Sequence, residues 1–220
     1  MGRNKLARFR QNELSDNVIQ DGKEIFKKIR GNWNKIQFDN RNPIVVELAC
    51  GRGEFTVGLA RKIPNVNFIG VDIKGSRIWK GSTMASAENL SNVAFLRTQI
   101  EQLNDFFAED EISELWITFP DPFPRDGDEK RRLTSARFLN MYKTLMSNGG
   151  TIHFKTDNTG LFDYTLSLWK ERDDIEIILH SHDFYSSEWK HDHFGIQTRY
   201  EGIFSAKGEK IKYLRAKFIL

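Results

Sequence analysis

Two short stretches of this chain carry side chains that could hold an adenosine-containing ligand. The first is Glu47-Leu-Ala-Cys-Gly51-Arg-Gly53-Glu54, an acid followed by two glycines at the end of an apolar run. Glycine lets the backbone turn tightly and approach a ligand closely. A helix-like segment follows, and its first turn offers free N–H groups. The same spacing also fits an ordinary strand-to-helix turn. A dinucleotide fingerprint wants a third glycine where this chain has Thr56, which disfavours a pyrophosphate cradle and an NAD-dependent enzyme. The second feature is Asp72, at the end of Phe68-Ile-Gly-Val-Asp72. A carboxylate there can accept hydrogen bonds from both ribose hydroxyls, or it can cap a helix.

The most informative segment is Phe119-Pro120-Asp121-Pro122-Phe123-Pro124-Arg125, followed by Lys130-Arg131-Arg132. Prolines on both sides of Asp121 fix the local backbone and remove amide donors. They present that carboxylate rigidly, next to aromatic rings and a basic cluster.

These residues need elements to place them. From Pro43 onward the pattern alternates between strand-like and helix-like runs. Strands are expected at 44–50, 66–72, 93–98, 112–119 and 150–156, with further ones at 174–180 and 211–220. Helices are expected at 54–63, 75–90, 101–108, 131–147 and 158–171. The fold class is therefore α/β, with a mostly parallel seven-stranded sheet and helices on both faces. Ligands of such sheets sit beyond the carboxyl ends of the strands, at the switch point. Glu47–Gly53, Asp72, Thr98-Gln99, Asp121 and Thr156-Asp157 all fall at expected strand ends. Residues 1–42 read as a basic tail plus a helix capped by Ser15 or Asp16, with Val18, Ile19, Ile25, Phe26 and Ile29 as its apolar stripe. Residues 43–220 read as one catalytic domain.

The chain has 220 residues, 39% hydrophobic and 12% aromatic, as in a globular protein. No window is apolar enough to span a membrane. The start lacks the apolar stretch of a secretory signal. One cysteine, Cys50, fits a reducing cytoplasm. Net charge is only +3, but residues 1–41 hold ten Lys/Arg against five Asp/Glu. The segment 207–217 holds Lys207, Lys210, Lys212, Arg215 and Lys217 against Glu209. Basic ends around a neutral middle point to an anionic partner such as nucleic acid, or to a solvated surface.

Phe-Pro-Asp-Pro-Phe-Pro-Arg with its Lys-Arg-Arg resembles the Pro-Asp-Pro-Trp signature of the bacterial tRNA (guanine-N7-)-methyltransferase family. Glu47–Gly53 looks like that family's cofactor loop, and Gly70-Val71-Asp72-Ile73 like its ribose-binding acid. Lys155-Thr156-Asp157 and Thr198-Arg199-Tyr200-Glu201 are similar to two later motifs, and Gly2-Arg3-Asn4-Lys5 to the family's basic start. The resemblance implies a class I, Rossmann-like enzyme that uses S-adenosyl-L-methionine, works on tRNA in the cytoplasm and is a monomer or homodimer. Its target would be the variable-loop guanine 46. Glu47, Gly51, Gly53, Asp72, Thr98, Gln99 and Asp121 would contact the cofactor, with Asp121 also at the catalytic centre. Arg125, Asp157, Thr198, Arg199, Tyr200 and Glu201 would contact the tRNA. Thr98-Gln99 stands where the family often has Asp-Ala, so adenine must be met by a neutral side chain or by backbone. Phe123 replaces the usual Trp, and Gly127-Asp128 stands where basic or His residues are common.

Guanine N7 carries a lone pair and no proton, so its methylation is a matter of alignment and of stabilising charge on the purine. Asp121 is the candidate for the second task. Asp157 or Glu201 could accept from the guanine N1–H and amino group. Phe119 or Phe123 could stack on the base. Arg131, Arg132 and the basic ends would meet phosphates. Trp79, Trp116 and Trp169 are expected in the core. His180-Ser-His182 and His191-Asp-His193 have a metal-like spacing but no cysteines beside them, and read as a solvated loop or substrate-side contacts. Two rivals remain. One is another class I methyltransferase acting on a different RNA or a small molecule. The other is an RNA-binding module without catalysis.

Overall fold

The computed structural model describes residues 3–219. The basic start is therefore described only in part. The sheet has eight strands, one more than the sequence pattern gives. The helices are α1 (Arg3–Leu14), α2 (Glu54–Lys62), α3 (Gly75–Ala87), α4 (Ala136–Leu145), α5 (Thr159–Lys170) and α6 (Arg199–Ala206). The strands are β1 (Val18–Ile19), β2 (Ile44–Leu48), β3 (Asn67–Val71), β4 (Val93–Leu96), β5 (Ile112–Thr118), β6 (Met146–Thr156), β7 (Ile175–Ser181) and β8 (Lys212–Phe218). Their order across the sheet is β1-β4-β3-β2-β5-β6-β8-β7. β1 to β6 run parallel, and β8 lies antiparallel between β6 and β7.

β2 and β5 lie side by side although α2, β3, α3 and β4 separate them in the chain. The chain winds outward from this pair in both directions, so a crevice opens above their carboxyl ends. Buried β-branched and aromatic residues fill both faces of the sheet, in one cluster per face.

The extra strand comes from a segment expected to be helical. Ser15 does not begin a helix; its hydroxyl donates to the Gln11 carbonyl at 2.8 Å and ends α1. Val18 and Ile19, both fully buried, pair with Phe95 and Leu96 as the edge strand β1. Their β-branched side chains suit a pleated surface better than a helix. Ile25 and Phe26 form a short 3-10 turn, and Trp33 enters a six-residue π-helical segment, Trp33–Phe38. Trp33 is buried and donates its indole N–H to the Phe106 carbonyl at 2.9 Å.

The helix of the N-terminal region lies earlier, in the stretch read as a tail. α1 rests on α3. Trp79 donates to Gln11, and the Arg8 guanidinium sits 4.7 Å from the centre of the Trp79 ring. Trp79 is only half-buried, unlike Trp116 and Trp169, which are in the core as expected. Buried Asn12 donates to the Gly75 carbonyl at 2.8 Å. A Cβ on Gly75 would come within 2.8 Å of Phe9, so glycine is what lets the two helices meet. Trp79→Ala should release α1 alone. Amide exchange in residues 5–14 should quicken about tenfold or more, equivalent to ~1.4 kcal/mol, while β2 to β5 keep their protection.

Candidate functional site

The loop after β2 is shaped by two acids. Glu47 is buried at the end of β2. Its Oε2 accepts from the Thr56 N–H at 2.9 Å and from the Thr56 hydroxyl. Its Oε1 accepts from the Thr118 hydroxyl at 2.6 Å. One carboxyl thus ties β2 to the first turn of α2 and to the end of β5. Asp72, just past β3, accepts from Gly51 N–H at 2.9 Å through Oδ2 and from Lys74 N–H at 2.7 Å through Oδ1. Between these clamps the backbone takes three left-handed residues, Ala49, Gly51 and Gly53. Gly53 has no alternative, because a Cβ there would sit 2.5 Å from the Phe95 ring.

The end of β5 is strained in the same way. Phe119 has φ +50° and Phe123 φ +43°, a region that aromatic residues seldom occupy. Phe119 N–H donates to the Lys155 carbonyl at 2.8 Å, which holds the turn to β6. Asp121 is exposed beyond it. Arg131 lies over the Phe123 ring at 4.2 Å and pairs with Asp128. Arg132 is half-buried and engaged within the protein. It donates twice to the Phe123 carbonyl and lies over Tyr164 at 4.3 Å. It braces the loop from behind.

These loops and the start of α6 enclose a cavity of about 700 Å³. Its wall holds Glu47, Gly51, Asp72, Thr98, Gln99 and Asp121, and from the other side Thr198, Arg199 and Tyr200. Four expected site residues lie outside that wall. Gly53 caps α2. Arg125 is exposed at the start of a 3-10 turn. Asp157 offers its carbonyl to Lys212 at 2.7 Å. Glu201 is fully buried and pairs with Lys155 at 2.7 Å. Sequence reasoning missed Thr118, Tyr185 and the role of Lys155. Lys155 had a visible signal, a lysine inside the apolar strand Ile152-His-Phe-Lys155. Thr118 and Tyr185 had none.

The basic C-terminus is also reassigned. Lys212 is buried, Arg215 pairs with Asp192 and Lys217 with Glu176, because these residues form β8 inside the sheet. The His-Asp-His stretch is not simply solvated: His193 is buried against Phe184 and Tyr185. Among the described residues no cluster of His, Cys, Asp or Glu suits a metal ion, and no helix is long and apolar enough to cross a membrane. Cys50 is buried, and burial pushes its thiol pKa well up.

The donors and acceptors around the cavity fit a nucleoside carrying an amino acid. Asp72 has lone pairs left beyond its two backbone bonds, Thr98 and Gln99 lie one strand further, and the left-handed loop brings backbone close. Burial raises the Glu47 pKa to about 7, against the pull of three hydrogen bonds. The folded state therefore holds a proton that the unfolded chain releases near 4.5. Stability from this group is full below that pH, falls as pH rises towards 7, and is level above. In calorimetry of the ligand-free protein, Glu47→Gln should flatten the decline of the unfolding midpoint between pH 5 and about 7.

Residues 41–214 match the family model described as "Putative methyltransferase". A tRNA (guanine-N(7)-)-methyltransferase of Cytophaga hutchinsonii is 44% identical over 100% of this chain and 99% of its own length. One from Christiangramia forsetii is 46% identical over 98% of both. Among solved structures, the 16S rRNA methyltransferase KamB superposes with TM-score 0.64 at 14% identity, covering 91% of this chain and 96% of that one, a likeness of fold. Relatives this similar along the whole chain leave one assignment: the chain belongs to the tRNA (guanine-N(7)-)-methyltransferase family.

Proposed function

We propose that this protein transfers the methyl group of S-adenosylmethionine to N7 of a guanine in tRNA, in the variable loop. The carrying observation is the cavity at the switch point, which has Asp72, Thr98 and Gln99 on one side, the α6 turn on the other, and Asp121 between. When bound, the cofactor supplies a methyl on a positively charged sulfur. The tRNA and the N7 position come from the activity of the relatives.

Each residue's task follows from what the chemistry requires. N7 has no proton to lose, so no side chain has to act as a base. Asp72 accepts from the ribose hydroxyls. Thr98 and Gln99 meet the adenine with neutral groups. Glu47 acts by holding the glycine loop, since both its oxygens already accept hydrogen bonds. Asp121 faces the purine as positive charge develops there, and a carboxylate preorganised for that charge lowers the barrier. Thr198, Arg199 and Tyr200 form the substrate wall, and Arg125 and Asp157 meet the tRNA beyond it.

The target guanine must leave its stack to enter. Cations placed to hold the surrounding backbone include Lys74 and Arg77 at the cavity and Arg8 and Arg10 on α1. A second groove of about 490 Å³ shares Glu54 and Arg199 with the cavity and adds Arg61 and Lys62. We take residues 1–42 as an N-terminal extension and 43–220 as the methyltransferase domain, working in the cytoplasm as a monomer or homodimer.

Methyl transfer from labelled S-adenosylmethionine to unmodified tRNA, followed by borohydride and aniline cleavage, should give one cut in the variable loop. Label without a cut would place the methyl on another atom and defeat the reading. Asp121→Asn should lower kcat by about a hundredfold. Asp72→Ala should weaken S-adenosylhomocysteine binding by about tenfold to a hundredfold in calorimetry.

A further inference from the structure

α6 is held to the protein in an uncommon way. A surface helix ordinarily docks through an apolar stripe. In α6 the buried residue is Glu201, and Tyr200, Gly202, Ile203 and Ala206 are exposed. The helix therefore has a carboxylate where an apolar anchor would normally be.

That carboxylate meets Lys155 of β6 at 2.7 Å, with the two side chains 0% and 1% exposed. The Lys155 ammonium is walled by aromatic rings, with Phe184 5.0 Å, Phe119 5.8 Å and Phe55 5.9 Å from it. Tyr185 donates to the same Glu201 Oε1 at 2.7 Å. Glu201 Oε2 is buried with no hydrogen-bond partner among the described residues. A sealed pair of this kind contributes little net stability, because desolvation offsets the attraction, but losing one partner is strongly unfavourable for the other. It specifies a position more than it strengthens a fold.

The position it specifies is that of the substrate wall. Thr198, whose hydroxyl caps α6 by accepting from Glu201 N–H at 3.1 Å, lines the cavity with Arg199 and Tyr200. Among the described residues, the other side-chain tie at this turn is from Arg199 N–H to Glu54 at 2.7 Å. We propose that Lys155 is a positioning residue for tRNA: acting through Glu201, it fixes the first turn of α6 as the cavity wall that receives the substrate base. Glu201 then serves the site as an anchor, and the contacts to RNA come from its neighbours Thr198, Arg199 and Tyr200. The inference rests on the tRNA reading above.

The test is Lys155→Met, which keeps length and removes charge. The KM for tRNA should rise about tenfold, the scale of one lost charge-assisted hydrogen bond. S-adenosylhomocysteine affinity should stay within about twofold, because the residues assigned to the cofactor lie on the β2 to β5 side. Lys155→Arg should return KM most of the way, and amide exchange should quicken in 198–206 while β2 to β5 hold. An unchanged KM, or a cofactor affinity that falls in step with it, would overturn the proposal. Should Lys155→Met not fold, Tyr185→Phe removes the second donor and should raise KM about threefold with the same local exchange. If the wild type gave no aniline-sensitive product, the tRNA reading would fail, while the exchange of α6 would still report on the Lys155–Glu201 anchor.

Discussion

Glu47 sits where the sheet reverses its winding, and its two oxygens tie its own strand to two further elements. Thr56 brings in the start of α2, and Thr118 brings in the end of β5. The glycine loop must leave β2 and enter α2 between these ties, so its course is set by a single buried carboxyl. Asp72 then closes the loop from the β3 side by accepting from Gly51. Both acids thus serve the architecture before any ligand arrives. A site built this way is preorganised, since the groups that define it already have their hydrogen bonds. The consequence is a carboxyl that favours its protonated form, because burial outweighs the donors around it.

The two halves of the cavity are secured by different physics. The β2 to β5 side is continuous with the core, and its residues inherit the rigidity of packed strands. The α6 side has a charged anchor and a polar cap, Thr198. Hydrophobic contact is tolerant of small shifts, whereas a buried hydrogen-bonded ion pair is directional. Dispersed apolar packing on the β2 to β5 side suits a wall of constant shape. A directional anchor on the other side suits a wall that needs a fixed position without apolar packing of its own.

The α/β alternation from Pro43 onward was legible because buried parallel strands read as apolar runs with turn residues between them. The strand-end acids were legible for the same reason: once strands are placed, their carboxyl ends are known. Reading failed where local pattern and tertiary context diverge. Val18 and Ile19 fit a helical stripe, yet the free edge of β4 takes them as a strand. Lys212, Arg215 and Lys217 looked like a phosphate-binding tail, but each has a partner within the sheet or across its edge. A charge count cannot see pairing between residues distant in sequence. Glu201 shows a related limit: a motif match places it among the substrate residues, and only the fold reveals its buried pairing with Lys155.

The strain at the end of β5 belongs to the same logic. Phe119 and Phe123 adopt left-handed backbone on either side of Pro120-Asp121-Pro122. Such conformations persist only where the surroundings over-determine them. Here Phe119 N–H is tied to the Lys155 carbonyl, and the Phe123 carbonyl is held by two bonds from Arg132. Asp121 stands between these fixed points without needing a hydrogen bond of its own. A carboxylate positioned by its backbone keeps its lone pairs for whatever enters the cavity. Lys155 contributes to both sides of that cavity, with its carbonyl to the Asp121 turn and its ammonium to the α6 wall. One residue of β6 therefore sets the separation between Asp121 and the α6 wall of the cavity.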